Sequence, residues 1–93
     1  MENKHALITG ATSGIGYELA KLFAKDGYNL VLVARNEDNL KATAQEMERL
    51  NSAIHVHILP ADLFEPGAAE KIYDKTTALG ITVNVLVNDA GQG

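Results

Sequence analysis

The segment that most constrains the fold of this chain is rich in glycine and reads Thr9-Gly10-Ala11-Thr12-Ser13-Gly14-Ile15-Gly16. The apolar residues 6–8 before it predict a strand, and the periodic pattern after it predicts a helix. In such a turn Gly10 permits a sharp bend, Gly14 has no Cβ to keep a ligand from its N–H, and Gly16 lets the helix approach the sheet. We therefore predict that the turn binds an anion, the pyrophosphate of a dinucleotide, at the helix N-terminus. The alternative is a glycine-rich loop without a ligand.

Strand and helix patterns alternate along the rest of the chain. Continuous apolar runs predict strands at Ala6–Ile8, Leu30–Ala34 and Val83–Val87, and an alternating run predicts another at Ile54–Leu59. Helical patterns separate these runs. The order predicts an α/β fold with a Rossmann-type, three-layer parallel sheet of strand order 3-2-1-4, which is half of a doubly wound fold. The alternating third strand would then lie at one edge.

Helical periodicity also predicts which side chains the three helices bury. The expected buried stripes are Ile15, Leu19, Leu22 and Phe23 in the first helix, Leu40, Ala44, Met47 and Leu50 in the second, and Ala69, Ile72, Thr76 and Leu79 in the third. Asn36 is expected to cap the second helix, Pro66 to lie in the first turn of the third, and Gly80 to end it. The first stripe leaves Tyr17 and Lys21 facing solvent.

Composition excludes several classes of function. A length of 93 residues with 46% hydrophobic and 22% charged residues fits one small soluble domain. The net charge of −4 argues against nucleic acid or an anionic membrane as a partner. The absence of cysteine excludes disulfides and thiolate zinc sites and favours a cytoplasmic location. His55 and His57 share a strand face, but no third ligand accompanies them, so we predict no metal.

The predicted fourth strand lacks the charges with which edge strands resist pairing. In the order 3-2-1-4 the run Val83–Val87 is an edge, and only the helix after Pro66 would cover one face of the sheet. We therefore expect the chain to be the front piece of a longer protein. We also expect a homo-oligomer or some other association through the exposed fourth strand.

The spacing T-G-x-x-x-G-I-G in Thr9–Gly16 resembles the signature of the short-chain dehydrogenase/reductase family. Asp62-Leu63 resembles the family's adenine-binding pair, and Asn88-Asp89-Ala90-Gly91 resembles its N-N-A-G motif, with Asp89 where the family usually has Asn. An Asp two residues after a Pro is also a common turn residue. The cofactor contacts that the resemblance implies involve Gly10, Thr12, Ser13, Gly14, Ile15, Gly16, Asp62, Leu63, Asn88, Ala90 and Gly91.

Arg35 directly follows the second strand, where the ribose of a bound dinucleotide would lie. In the Rossmann pattern an acidic residue at this place selects NAD, whereas an Arg accommodates the 2′-phosphate of NADP. The run Ala34-Arg35-Asn36 has a guanidinium and no carboxylate. We therefore predict contacts from Arg35 and Asn36 to NADP, with NAD less favoured. The alternative for Arg35 is a surface side chain at a strand end.

The family resemblance also implies an activity, the transfer of a hydride between NADP(H) and a carbonyl/alcohol pair. The family's Tyr and Lys, spaced Y-x-x-x-K, are matched only by Tyr17 and Lys21, which follow the glycine turn too closely to reach a nicotinamide. We predict no catalytic residue here. Residues 1–93 would be the inactive NAD(P)-binding domain of a longer oxidoreductase. The alternative is a non-catalytic NADP-binding or redox-sensing module.

Overall fold

The computed structural model describes residues 4–62 and 64–88, in which strands and helices alternate. The strands are β1 (His5–Thr9), β2 (Asn29–Ala34), β3 (Val56–Pro60) and β4 (Val83–Asn88). The helices are α1 (Gly14–Lys25), α2 (Glu37–Leu50) and α3 (Ala68–Ala78). Every predicted element is present, and its bounds differ from the predicted ones by a few residues.

The four strands form one parallel sheet in the order β3-β2-β1-β4, which confirms the predicted α/β class and strand order. Leu7 lies beside Val31 of β2 and Leu86 of β4. The register between β1 and β4 shifts between His5 and Ala6. There the side-chain Oδ1 of Asn84 accepts a hydrogen bond from the His5 amide at 2.9 Å. Within residues 4–62 and 64–88, β3 and β4 are the outermost strands of the sheet.

The helices cover the two sheet faces unequally, as the sequence predicted. One face carries α1 and α2 over a core of Ala6, Ile8, Leu30, Leu32, Ala20, Ala24, Leu40, Ala44 and Met47. The other face carries α3 over a smaller core of Leu7, Val31, Val33, Leu59 and Ile72. Burial of these apolar side chains is the main favourable contribution to folding. No helix of the described residues has the length and apolar character that a membrane crossing requires.

The predicted buried stripe of α1 is wrong for Ile15 and Leu22, whereas Leu19 is half-buried and Phe23 packs against the core. Its buried residues are the small ones, Gly16, Ala20 and Ala24, whereas Ile15 and Leu22 are 64% and 58% exposed. Small residues recur at every fourth position and allow the helix to approach the sheet closely. Ile15 and Leu22, which a helical wheel favours as buried residues, are consequently turned outward.

The second and third helices follow the prediction more closely. In α2 the predicted residues Leu40, Ala44 and Met47 are buried, but Leu50 is exposed because it lies in the last turn. Asn36 caps this helix as predicted, since its Oδ1 accepts a hydrogen bond from the Asn39 amide at 2.9 Å.

The start of α3 differs from the prediction. Gly67, with φ of +79°, is the N-cap, so Pro66 precedes the helix instead of lying in its first turn. Ala68 is buried in place of Ala69, and Leu79 is exposed. Ile72 and Thr76 are buried and Gly80 follows the helix, as predicted. The difference is therefore confined to the two ends of the helix, and its buried face is centred on Ile72 and Thr76 as predicted.

The imidazole of His5 should make folding stability depend on pH. Burial, together with the nearby His57 and His55, lowers the pKa of His5 below its ordinary value of 6.5. The unfolded chain therefore binds more protons, and the free energy of unfolding falls as the pH drops below 6.5. Urea denaturation between about pH 8 and about pH 6 should show this loss. His5→Gln should reduce the slope of the free energy of unfolding against pH. An unchanged slope would contradict the assignment of this pH dependence to His5.

Candidate functional site

The glycine turn joins the end of β1 to the start of α1. Gly10 has φ of +65° and Gly14 has φ of +62°. A residue with a Cβ would be strained at these values, whereas glycine adopts them freely. The amide of Gly10 donates to the carbonyl of Val33 at 2.9 Å, and that of Ala11 donates to the same oxygen at 3.4 Å. The tight bend predicted at Gly10 is therefore present, and the end of β2 holds it in place.

The first turn of α1 exposes polar groups next to this bend. Ser13 is the N-cap in an extended conformation, and its side chain makes no capping hydrogen bond. A Cβ on Gly14 would meet nothing within 4 Å, so the space beside it is open. The first amides of a helix have no acceptor within the helix, and they carry its partial positive charge. Ser13 and Ile15 are exposed, and Thr12 is half-buried, around this opening.

Gly16 brings α1 into direct contact with the turn. A Cβ at this position would lie 2.4 Å from the carbonyl oxygen of Gly10 and 3.1 Å from that of Thr9. Both are backbone atoms, so no side-chain rotation could relieve the contact. The close approach predicted for Gly16 is thus present, and its partner is the turn itself.

Arg35 and Asn36 follow β2 at the same edge of the sheet, because the carboxyl ends of parallel strands lie together. Arg35 is exposed, and the described residues contain no ion-pair partner for it. The nearby Glu37 pairs with Lys41 at 3.5 Å. Asn36 has a structural role as the cap of α2, so its side-chain oxygen is already engaged.

Asp62 follows β3 at this edge and is half-buried. Its Oδ1 accepts a hydrogen bond from the amide of Phe64 at 2.9 Å, and its carbonyl accepts from the amide of Glu65 at 3.1 Å. Asp62 is therefore a turn residue, which is one of the two roles that the sequence allowed for it. The second carboxylate oxygen, Oδ2, is the atom that a ligand role would use. Leu63 lies outside the described residues.

Thr9 links the turn to β4, a role that the sequence did not predict. Its buried hydroxyl lies 3.1 Å from Oδ1 of Asn88 and 3.3 Å from the carbonyl of Val87, and it can donate to either. Asn88 is exposed at the end of β4. Its motif neighbours Asp89, Ala90 and Gly91 lie outside the described residues. The position of Thr9 directly before the first glycine was the only feature of the sequence that pointed to the contact between Thr9 and β4.

Tyr17 does not face solvent as predicted. It is half-buried against the core, and its hydroxyl donates a hydrogen bond to the Glu46 carboxylate on α2. This bond raises the pKa of Tyr17 above its ordinary value of 10.0. The ammonium of Lys21 lies 5.3 Å from the Tyr17 ring centroid and pairs with Glu18 at 3.5 Å. A phenol that ionises less readily and points at α2 is poorly suited to general acid/base chemistry.

The described residues contain no group of three or more His, Asp or Glu side chains arranged to hold a metal ion. His55 is exposed and His57 is half-buried on the edge strand segment. The described residues that the sequence singled out at the carboxyl edge offer backbone amides, hydroxyls, the Arg35 guanidinium and the Asp62 carboxylate. This set suits a phosphorylated organic ligand better than a metal ion.

Comparison with known proteins shows that nearly the whole chain is similar to one protein family. The family model for short chain dehydrogenase matches residues 4–93. The chain is 42% identical over 93 residues to "11-beta-hydroxysteroid dehydrogenase B" from Sesamum indicum, and the match covers 100% of this chain and 25% of that protein.

Two solved structures have the same fold. L-sorbose reductase from Gluconobacter frateurii, in complex with NADPH and L-sorbose, gives a TM-score of 0.90 at 33% identity, covering 100% of this chain and 35% of that one. An alcohol dehydrogenase from Thermococcus sibiricus, in complex with 5-hydroxy-NADP, gives a TM-score of 0.82 at 34% identity, covering 91% and 36%. The chain therefore spans between a quarter and about a third of these relatives.

Gly16→Ala should destabilise the fold, because the added methyl group would collide with the carbonyl of Gly10. We expect the free energy of unfolding to fall by about 1–3 kcal/mol. Ser13→Ala is the matched control in the same turn, since Ser13 is exposed and makes no capping hydrogen bond. This control should change the free energy of unfolding by less than about 0.5 kcal/mol. Urea denaturation measures both, and equal stabilities for the two variants would refute the contact.

Proposed function

Because this chain belongs to the short-chain dehydrogenase family, we propose that it is the cofactor-binding portion of an oxidoreductase that moves a hydride between NADP(H) and a carbonyl/alcohol substrate. The observation that carries the proposal is the bend of Gly10 and Gly14 against the start of α1, with open space at Gly14. The first amides of a helix have no acceptor within the helix, so they are able to bind a diphosphate placed in this space. The NADPH and 5-hydroxy-NADP complexes of two similar structures support it.

The proposed binding mode assigns one part of the cofactor to each strand end. The amides of Ser13, Gly14 and Ile15 would bind the pyrophosphate, with the Ser13 hydroxyl as a further donor. Arg35 after β2 would pair with the 2′-phosphate. Asp62 after β3 would accept from the adenine amino group through Oδ2. The stretch from Asn88 through Ala90 and Gly91 would pass the ribose on the nicotinamide side.

The preference for NADP over NAD rests on charge. Arg35 is exposed and has no ion-pair partner among the described residues, and Glu37 is paired with Lys41. A 2′-phosphate would therefore meet an available guanidinium, without having to displace a carboxylate from it. NAD has only a hydroxyl at that place, so it would gain little from Arg35.

When bound, NADPH supplies the hydride, and the residues of this chain bind and orient the cofactor. We assign no residue of the chain to proton transfer. Tyr17 and Lys21 have the spacing of the family's catalytic pair, but the Tyr17 hydroxyl is hydrogen-bonded to Glu46 on α2. The catalytic Ser, Tyr and Lys that the family uses would have to come from elsewhere in a longer protein, and the substrate would be set there too.

Arg35→Ala should weaken NADPH binding by about ten- to a hundredfold, which is the loss expected for one charge-assisted hydrogen bond. NADH binding should change little, since NADH has no 2′-phosphate. Arg49→Ala is the matched control, because Arg49 is the other arginine of the sequence and lies in the last turn of α2. Calorimetric titration with both cofactors measures the effects. Equal losses for NADPH and NADH would remove Arg35 from the proposed role.

The purified 93-residue chain should bind NADPH and reduce no carbonyl compound. The measurement is NADPH absorbance over time with a panel of ketones and aldehydes, beside a binding titration on the same sample. Tyr17→Phe should leave the rate of NADPH loss unchanged, because no carbonyl reduction is expected in either variant. Carbonyl reduction that disappears in Tyr17→Phe would overturn both the assignment of inactivity and the structural role of Tyr17.

A further inference from the structure

A hydrogen bond between α1 and α2 lies directly beside the amides that are proposed to bind the cofactor pyrophosphate. The donor is the hydroxyl of Tyr17, which follows Gly16 in the first turn of α1, and the acceptor is the carboxylate of Glu46 on α2. The Tyr17 ring is half-buried against the core under these two helices. The bond raises the pKa of Tyr17 above 10.0, so the phenol remains a donor at neutral pH.

The first turn of α1 lacks the capping groups that usually hold a helix start. The Ser13 side chain makes no capping hydrogen bond, and the turn contains no acidic residue. Ser13, Gly14 and Ile15 are all exposed. The amide of Tyr17 donates to the carbonyl of Ser13 at 3.4 Å, so the backbone of Tyr17 closes this turn. The side chain of Tyr17 therefore connects the turn to α2.

A second hydrogen bond joins the same two helices at their other ends. Nδ2 of Asn51, the C-cap of α2, donates to the carbonyl of Ala24 in the last turn of α1 at 3.0 Å. The helices are neighbours on one sheet face, since α1 packs on β1 and β2 and α2 packs on β2 and β3. One bond thus lies near each end of α1. Loss of the Glu46 bond would release the end beside the glycine turn, while the far end stayed bonded.

We propose that Tyr17 and Glu46 are positioning residues for cofactor binding, because their hydrogen bond holds the amides of Ser13, Gly14 and Ile15 in place for a pyrophosphate. The inference rests on the proposed function and adds two side chains that act through the backbone of α1. A site whose donors are already ordered loses less conformational entropy on binding. NADPH and NADH share the pyrophosphate, so the effect should be common to both, unlike that of Arg35.

The first test is calorimetric titration of NADPH and NADH into folded variants of the 93-residue chain. Tyr17→Phe keeps the ring and removes the bond, and it should weaken both cofactors by about three- to tenfold. Tyr28→Phe is the matched control and should change neither affinity, because Tyr28 packs on the same core beyond the far end of α1. An unchanged NADPH affinity of Tyr17→Phe would overturn the proposal. A parent chain that binds no NADPH would instead contradict the proposed function.

A double-mutant cycle shows whether Tyr17 acts through Glu46. Glu46→Ala should weaken NADPH as much as Tyr17→Phe, and the two substitutions together should weaken it no further. Glu46→Gln keeps a side-chain oxygen that accepts from the phenol, so it should retain most of the affinity. Glu48→Ala removes an exposed carboxylate from the same helix and is the control for charge. Additive losses, or equal effects of Glu46→Ala and Glu48→Ala, would overturn the positioning role.

The third test needs no cofactor and separates positioning from general stabilisation. Amide hydrogen exchange measured by NMR should become about three- to tenfold faster for residues 17–19 in Tyr17→Phe. Residues 22–25, beside the Asn51 bond, should keep their exchange rates. A purely stabilising hydrogen bond would instead change the exchange rates by the same factor along all of α1. Such a uniform change, or no change in residues 17–19, would overturn the proposal.

Discussion

The contact between Gly16 and the carbonyl of Gly10 sets the geometry on which the rest of the structure depends. It fixes how closely α1 approaches the end of β1, since a single methyl group at Gly16 would lie 2.4 Å from that oxygen. The same approach requires Ala20 and Ala24 on the face of α1 that meets the sheet. A Cβ on the neighbouring Gly14, by contrast, would meet nothing within 4 Å, so the space beside the helix start is open there. The binding geometry and the packing of α1 are thus consequences of one backbone contact.

The orientation of α1 decides the role of Tyr17. With the small residues turned inward, Tyr17 reaches across to Glu46 and links the first two helices, and Lys21 lies beside its ring. The spacing of Tyr17 and Lys21 matches a catalytic pair, but spacing alone does not place a side chain near a substrate. The hydrogen bond to a carboxylate stabilises the neutral phenol. The same motif spacing therefore serves helix packing here.

The carboxyl edge of the sheet combines groups that are far apart in sequence. The Thr9 hydroxyl lies within hydrogen-bond distance of Oδ1 of Asn88 and so links the ends of β1 and β4, while Arg35 after β2 has no ion-pair partner among the described residues. Asn36 and Asp62 each have a local structural task, as a helix cap and as a turn residue. A ligand role for these two residues would use the backbone or the remaining side-chain atoms. This division suits a family in which a rigid parallel sheet presents loops to a cofactor.

The sequence by itself determined the elements, the strand order, the glycine bend and the cap at Asn36. The elements, the bend and the cap follow from apolar runs, backbone freedom and local hydrogen bonds, all of which act over a few residues. The strand order follows from the alternation of strands and helices joined by right-handed crossovers. Only the tertiary structure decided which face of α1 is buried, that Tyr17 bonds to Glu46, that Thr9 bonds to β4, and that α3 starts after Pro66. A helical wheel of α1 offers an apolar stripe and a small-residue stripe, and the choice between them depends on the distance to the sheet. That distance is set by Gly10 and Gly16 meeting in space, which no local pattern contains.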